Sequence, residues 1–322
     1  MEHIVFLDRS TVDAQFRAPR VPHRWFDYSG SDPEVLSERL AGATMAITNK
    51  VRISASVLEA HASLRGIMVA ATGVDHIDVG AAEARGIVVC NARGYASAAI
   101  TEHVFMLILA LRRNLLSYRQ SVAQQAWSRA PGFSLPIHPI EDIEGATLGI
   151  VGYGATGRLL GERARALGLD VLVAEHKGRS ATRPGRRPFE EVLAASDILS
   201  LHAPLTPETE NLLGARELRL MKPTAIVINT ARGGLIDESA LDEALRAGRL
   251  AGAGLDVLRE EPPARGNVLL AEPRLNLIVT PHVAWTSRVS KQRLAEQVIE
   301  NIEALAAGAP IRVVSSRPSS PT

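Results

Sequence analysis

The sequence predicts an α/β protein built as two doubly wound parallel-sheet lobes, the second inserted into the first, and three observations carry that prediction. Short β-branched runs alternate with helix-like stretches along the chain, the pattern of parallel strands joined by crossover helices. The alternation falls into two series, separated by a loop holding Pro131, Pro136 and Pro139, and 322 residues exceed one average domain. After the last strand, one helix is left with no strand partner, as expected if the chain returns to the first lobe. These observations assign residues 1–98 and 288–322 to one discontinuous domain and 99–287 to the other.

In the first lobe, HIVFL, TMAIT, RGIMVA and GIVVC read as strands. PEVLSERLAG and SASVLEAHASL carry apolar residues at spacings of three and four and read as helices. Cys90, the only cysteine, closes the strand run IVVC, where burial is the expected role. A single long helix is predicted from Ala98 through VFMLILALRRNLLSYRQSVAQ, apolar on nearly every side and so expected to be covered by a lobe or a second subunit. The second series supplies LGIVG, DVLVA, DILSLH, AIVINT, AGAGLDVL and NLIVTPH, the strand count of a full dinucleotide-binding sheet. The last helix runs from about Val289 to Ala307, and the polar tail SSRPSSPT is expected to be disordered.

Charge narrows the partners. With 36 basic and 35 acidic residues, the net charge of +1 offers no global attraction to nucleic acid or an anionic membrane. The start MEHIVFLDRS lacks the basic and long apolar regions of a signal peptide, and no run of 18 apolar residues occurs, so a cytoplasmic location is expected. One cysteine excludes an intramolecular disulfide framework, and the His and Asp residues show no metal spacing, so no metal is expected.

Gly152, Gly154 and Gly157 follow the apolar run LGIV and precede RLLGERARALG, which has helical spacing. That context turns a weak GxGxxG signal into a dinucleotide fingerprint. The first glycine permits the tight turn, the second lets the backbone approach the pyrophosphate, and the third packs helix on strand, while Ala155 and Thr156 open the helix whose free N–H groups face the phosphates. Residues 99–287 are therefore read as a Rossmann coenzyme domain. Glu175 closes the next strand, where a carboxylate accepts hydrogen bonds from the adenosine ribose, and it favours NAD over NADP by repelling a 2′-phosphate. NADP stays open because His176, Lys177, Arg179, Arg183, Arg186 and Arg187 crowd the same loop.

Arg232 in INTARGG, Glu261 in REEPP and His282 in IVTPH stand after later strands, at the edge where ligands bind in open α/β sheets. Hydride transfer to a 2-keto acid needs a donor that polarises the carbonyl and holds the carboxylate, and an acid that protonates the developing alkoxide. The planar donor fork of Arg232 fits the first role and the imidazole of His282 the second. Glu261 would orient the ring and stabilise its cationic form. His103 and His202 are read as structural, and Trp285 as a wall of the substrate pocket.

The segments ATGVDHID, GYGATG, LHAPLTPET, NTARGGLID, GLDV, EEPP and PHVAW, in this order, resemble the D-isomer-specific 2-hydroxyacid dehydrogenases over nearly the whole chain. The resemblance implies that Arg232, Glu261 and His282 form the catalytic triad. It implies a flavodoxin-like substrate domain in which Asn49, Val51 and the backbone N–H groups of Gly73 and Val74 meet the substrate together with Arg232, His282 and Trp285. Cofactor contacts are implied for Thr101, Ala203, Pro204, Thr209, Thr230, Ala231, Arg232, His282 and Ala284, and for Asp256 facing the nicotinamide carboxamide. A homodimer joined through the coenzyme lobes and the long helix is implied as well. TNKV at Asn49, HVAWTS at Trp285 and WSRAPGFSLPIHPIEDIEG are most similar to bacterial glycerate dehydrogenases, or hydroxypyruvate reductases, whose substrates are small 2-keto and 2-hydroxy acids. A dinucleotide-sensing binding protein, like the corepressors within this family, and a short phosphoglycerate dehydrogenase are the alternatives.

Overall fold

A computed structural model describes residues 1–179 and 181–315, so the tail predicted to be disordered lies, after Ser315, outside the described residues. The chain divides into two compact units, Met1–Ala96 with Thr286–Thr322, and Ser97–Trp285.

The first unit is a five-stranded parallel sheet in the order β2-β1-β3-β4-β5, formed by β1 (Glu2–Phe6), β2 (His23–Asp27), β3 (Met45–Thr48), β4 (Gly66–Val69) and β5 (Val88–Cys90). This is the flavodoxin-like order, with its reversal between β1 and β3. Strands β3 and β4 are buried at every position, so they read as continuous apolar runs, as parallel strands covered on both faces must. Helices α1 (Pro33–Arg39), α2 (Ala55–Ala60) and α3 (Val79–Ala84) connect them. The sequence prediction misses β2 because HRWFD has no period-two alternation. It is an edge strand that pairs only with β1 and leaves Arg24, Phe26 and Asp27 exposed.

The final helix α10 (Arg288–Ala306) belongs to this unit and packs on β4, with Leu305 against Gly66. Its stripe of Leu294, Ala295, Val298, Ile299, Ile302 and Leu305 is buried. Arg17 adds ion pairs to Glu296 at 2.8 Å and Glu303 at 2.5 Å, with side chains about a quarter to a half exposed. Each large apolar side chain contributes ~1.5–3 kcal/mol on full burial, whereas such surface pairs contribute ~0–1 kcal/mol, so the stripe and not the charges seats the helix.

The second unit is a six-stranded parallel sheet of β6 (Thr147–Val151), β7 (Asp170–Val173), β8 (Ile198–Leu201), β9 (Ile226–Asn229), β10 (Gly252–Leu255) and β11 (Leu277–Val279). Its order is β11-β10-β9-β8-β6-β7, so the chain reverses between β6 and β8. All six predicted strands are present, but the third strand of the usual doubly wound order is reduced here to one parallel bridge, Ala174 to Arg187, outside β7. Helices α6 (Ala155–Ala166), α7 (Phe189–Ala195), α8 (Ala215–Leu220) and α9 (Glu238–Arg246) complete the crossovers.

The predicted long helix is instead two: α4 (Ser97–Arg112) and α5 (Leu115–Ala123). Asn114 breaks it with φ +49°, a left-handed conformation that asparagine tolerates better than most residues, and its Nδ2 donates to the Pro139 carbonyl at 2.5 Å. Val104, Leu107 and Ile108 pack against strand residues, while Met106 and Leu109 of α4 are exposed. The helix is thus half covered within this chain rather than buried all round.

Candidate active site

Both sheets are parallel, so the ends of β6, β8, β9, β10 and β11 open on one edge, and every fingerprint residue lies there. Gly152 has φ +90°, and a Cβ on it would stand 2.5 Å from the His202 carbonyl carbon and the Ala203 nitrogen, so β6 and β8 meet through this hydrogen atom. Gly157 packs against the Gly152 carbonyl. Gly154 differs: nothing lies within 4 Å of where its Cβ would be. It is also the N-cap of α6 without a side-chain cap, whereas Asp237 caps α9 and Ser287 caps α10. The first N–H groups of α6 thus face open space, as an anion-binding helix start requires.

Beside this loop lies a cavity of about 390 Å³ lined by Gly152, Glu175, His176, Ala203, Pro204 and Thr209 among others. Thr209 shapes its rim, donating through Oγ1 to the Pro204 carbonyl at 2.7 Å and accepting from the Thr206 N–H at 2.8 Å. Thr230, after β9, is buried and among the described residues its Oγ1 has no hydrogen-bond partner. That unsatisfied hydroxyl at the end of β9, together with the open space over Gly154, fits a dinucleotide. Thr101 lies inside α4, fully buried, with Oγ1 on the Ser97 carbonyl at 2.7 Å. Ser97, which the sequence did not single out, also receives Thr156 Oγ1 at 3.4 Å.

The structure departs from expectation at Glu175. The side chain is 2 % exposed, and its two oxygens accept four hydrogen bonds: from the His176 N–H at 2.8 Å, the Arg183 N–H at 3.1 Å, Arg183 Nε at 2.8 Å and Arg183 Nη2. Arg183 holds the carboxyl well below the usual carboxylate range. Four bonds use the lone-pair capacity of a carboxylate, so no site remains for ribose hydroxyls.

Glu261 and His282 meet after β10 and β11, and Arg232 stands after the neighbouring strand β9. Arg232 follows β9, held by a loop in which Asn229 Nδ2 donates to the Arg232 carbonyl at 2.8 Å and Asn229 Oδ1 accepts from the Ala231 N–H at 3.0 Å. His282 follows β11, and its Nδ1 lies 2.6 Å from Glu261 Oε2. The other Glu261 oxygen accepts from the Leu258 N–H at 2.9 Å, which fixes the carboxylate's orientation. Among the described residues no partner meets His282 Nε2, and the ring is 25 % exposed. A carboxylate on Nδ1 keeps a proton there and leaves Nε2 to exchange one with a ligand.

His282 has φ +56°, a conformation costly for a residue with a side chain, and Asp256 after β10 secures it. The buried Asp256 carboxylate accepts from Thr280 Oγ1 at 2.5 Å, the Val283 N–H at 2.9 Å and the Ala284 N–H at 2.8 Å, and its backbone carbonyl accepts from the His282 N–H at 2.8 Å. His103 Nε2 completes the set at 2.9 Å from Thr280 Oγ1, a structural role as expected. The side chain assigned by resemblance to the carboxamide is therefore spent largely on the turn that aims His282. Trp285, half-buried, ends this unit.

Asn49, Val51, Gly73 and Val74 lie in the first unit, in the loops after β3 and β4. Asp8, not foreseen from the sequence, organises the first loop: its buried carboxylate accepts from the N–H groups of Asn49 at 2.9 Å, Lys50 at 2.7 Å and Val51 at 3.3 Å. It stands after β1, at the strand-order reversal where ligands bind in such sheets. No group of three or more His, Cys, Asp or Glu that could hold a metal ion, and no helix long and apolar enough to cross a membrane, occurs among the described residues.

An open nucleotide cradle and a carboxylate-oriented imidazole on one sheet edge define an NAD(P)-dependent oxidoreductase. Residues 105–284 match the family model described as D-isomer specific 2-hydroxyacid dehydrogenase, NAD binding domain. Glycerate dehydrogenase of Methylorubrum extorquens is 46 % identical over 97 % of this chain and 99 % of that protein. Hydroxypyruvate reductase of Blautia hydrogenotrophica is 34 % identical over 88 % of this chain and 89 % of that one. The crystal structure of an NADPH-dependent glyoxylate/hydroxypyruvate reductase from Sinorhizobium meliloti superposes with TM-score 0.81 at 26 % identity, covering 98 % of each chain. The chain belongs to the D-isomer specific 2-hydroxyacid dehydrogenase family. The corepressor-like alternative is not favoured by these relatives, which are named as enzymes.

Proposed function

We propose that this enzyme reduces a small 2-keto acid, hydroxypyruvate or glyoxylate, to the D-2-hydroxy acid, and that the 2.6 Å contact between His282 Nδ1 and Glu261 is the observation that carries the mechanism. A bound nicotinamide supplies the hydride equivalent. The Arg232 guanidinium pairs with the substrate carboxylate and polarises the carbonyl. His282 Nε2 donates the proton that the nascent alkoxide needs, and Glu261 keeps the imidazolium oriented while Asp256 holds its backbone. In the reverse direction the same nitrogen accepts the alcohol proton. Asn49, Val51, Gly73, Val74 and Trp285 are the substrate-binding residues in this proposal, and Thr101, Thr230, Ala231 and Ala284 contribute to the cofactor site. The names of the relatives support the substrate class.

The enzyme is a homodimer in this proposal, with the exposed apolar residues Met106, Leu109, Leu115, Val122 and Phe133 as the covered face. It is cytoplasmic, consistent with a single buried thiol, Cys90, that burial pushes up to about 11. The test is oxidation of NADH and NADPH with hydroxypyruvate, glyoxylate, pyruvate and 3-phosphohydroxypyruvate. Turnover with the first two exceeding that with the others is expected, and preference for the phosphorylated acid would overturn the substrate assignment.

A further inference from the structure

An aspartate directly before a helical turn ordinarily caps that turn. Asp8 does not: it precedes the 3-10 turn Arg9–Thr11, and no side-chain bond joins the two. Its carboxylate, 3 % exposed, reaches instead to the loop after β3. Oδ1 accepts from the Asn49 N–H at 2.9 Å, and Oδ2 accepts from the Lys50 N–H at 2.7 Å. The Val51 N–H is shared between Thr48 Oγ1 at 2.9 Å and Asp8 Oδ2 at 3.3 Å. Successive backbone N–H groups converging in this way make an anion site, and here the chain fills that site with its own carboxylate.

The same loop is tied to the next one. The Ile53 N–H donates to the His76 carbonyl at 2.9 Å and the Asp78 N–H to the Ile53 carbonyl at 3.0 Å, a parallel bridge between Ile53 and Ile77. The loops after β3 and β4 are therefore one assembly rooted on Asp8, and they differ in what they offer a ligand. Among the described residues, no acceptor meets the N–H groups of Gly73 and Val74, whereas those of residues 49–51 are engaged. The first loop keeps a side chain instead. Asn49 is 4 % exposed, and among the described residues its amide has no hydrogen-bond partner. A buried amide left unsatisfied marks a place for a polar ligand group.

We infer that Asp8 is a positioning residue for the keto-acid substrate: it acts as a built-in anion that closes the turn at residues 49–51 and so fixes the Asn49 amide against the loop of Gly73 and Val74. With its three N–H groups engaged, the turn holds no backbone site for a substrate anion, and the substrate carboxylate falls to Gly73 and Val74.

The inference rests on the proposed reading of these loops as the substrate side of the site, so loop order and substrate affinity are measured separately on the whole chain. Asp8→Asn keeps the side chain's shape and removes its charge. It is expected to speed hydrogen exchange in peptides holding Asn49, Lys50 and Val51 about tenfold or more, and to raise KM for hydroxypyruvate about tenfold or more. The same variant should leave kcat within about threefold and the Kd for NADH within about twofold. Asp8→Ala empties the turn. Formate, a carboxylate without the chain that carried it, is expected to slow the exchange again and to lower the raised KM saturably, while never lowering KM of the unaltered protein. Unchanged exchange in Asp8→Asn overturns the inference, as does a fall in kcat at unchanged KM, or a folded Asp8→Ala that does not respond to formate. Faster exchange with unchanged KM overturns the assignment of this loop to the substrate, and the inference with it. If Asp8→Ala does not fold, Asp8→Asn decides alone.

Discussion

Two glutamates of the coenzyme unit each hold a basic partner after a strand, and the pairs do opposite work. Glu261 and His282 are 34 % and 25 % exposed, joined by one contact, with Nε2 of the ring left to meet a ligand. Glu175 is 2 % exposed and accepts four hydrogen bonds, three of them from Arg183. Charge and position relative to the sheet are alike. What separates a reacting pair from a structural one is the number of donor and acceptor sites already used and the solvent each can still reach.

The sharpest way to break this comparison is to remove the reacting member. His282→Ala should lower kcat by roughly 10²–10⁴ while dinucleotide affinity changes less than about twofold, because the proton donor is lost and the phosphate cradle is not. Glu261→Gln keeps a hydrogen bond to the ring but not the charge that stabilises the imidazolium, and should cost roughly tenfold or more in kcat. Stopped-flow reduction of hydroxypyruvate with parallel NADH fluorescence titration separates the two quantities. Full activity in His282→Ala would remove this residue from the mechanism.

A smaller effect distinguishes glycines by what they touch. Gly154→Ala adds a methyl group to open space, so the melting temperature should hold while affinity for NADH and NADPH falls about tenfold or more. Gly152→Ala forces a Cβ to 2.5 Å from backbone at a φ of +90°, so it should lose folded stability before any binding is read. Calorimetric scans and nucleotide titrations on both variants check this. Equal melting points would show that β6 and β8 do not depend on that contact.

These contrasts also explain what was legible in the sequence. The six strands of the coenzyme unit were readable because a parallel strand covered on both faces is a run of apolar residues, as in β8 and β9. Strand β2 was not, being an exposed edge, and neither was the break at Asn114, since apolar periodicity continues across it while a side chain bonded to the Pro139 carbonyl decides it. Arg232, Glu261 and His282 were found by residue type and strand end. Arg183 as the partner of Glu175, and Asp8 as the organiser of residues 49–51, were not, because each acts through contacts 8 and about 41 residues away along the chain, set by the fold.

The mildest prediction concerns His202, which flanks the glycine turn. Its Nε2 lies 2.8 Å from Ser200 Oγ, and burial pushes the imidazole down to about 4, so the folded state holds it neutral. As pH falls below about 6.5, the unfolded chain binds a proton at this position that the folded chain refuses. Stability from this residue is therefore complete above about pH 6.5 and is lost toward pH 4, at no more than ~1.4 kcal/mol per pH unit. Glu303, held by Arg17 down to about 2, contributes its loss lower, as pH falls below about 4.5. His202→Asn should flatten the urea-unfolding free energy between pH 6.5 and 4.5 and leave the curve above pH 7 parallel to that of the unaltered protein. If both proteins lose stability with the same slope across that window, the imidazole is not the group being charged. The loss in that window would then belong to another imidazole that burial pushes down, His176 foremost, since the carboxylate pairs act only below about pH 4.5.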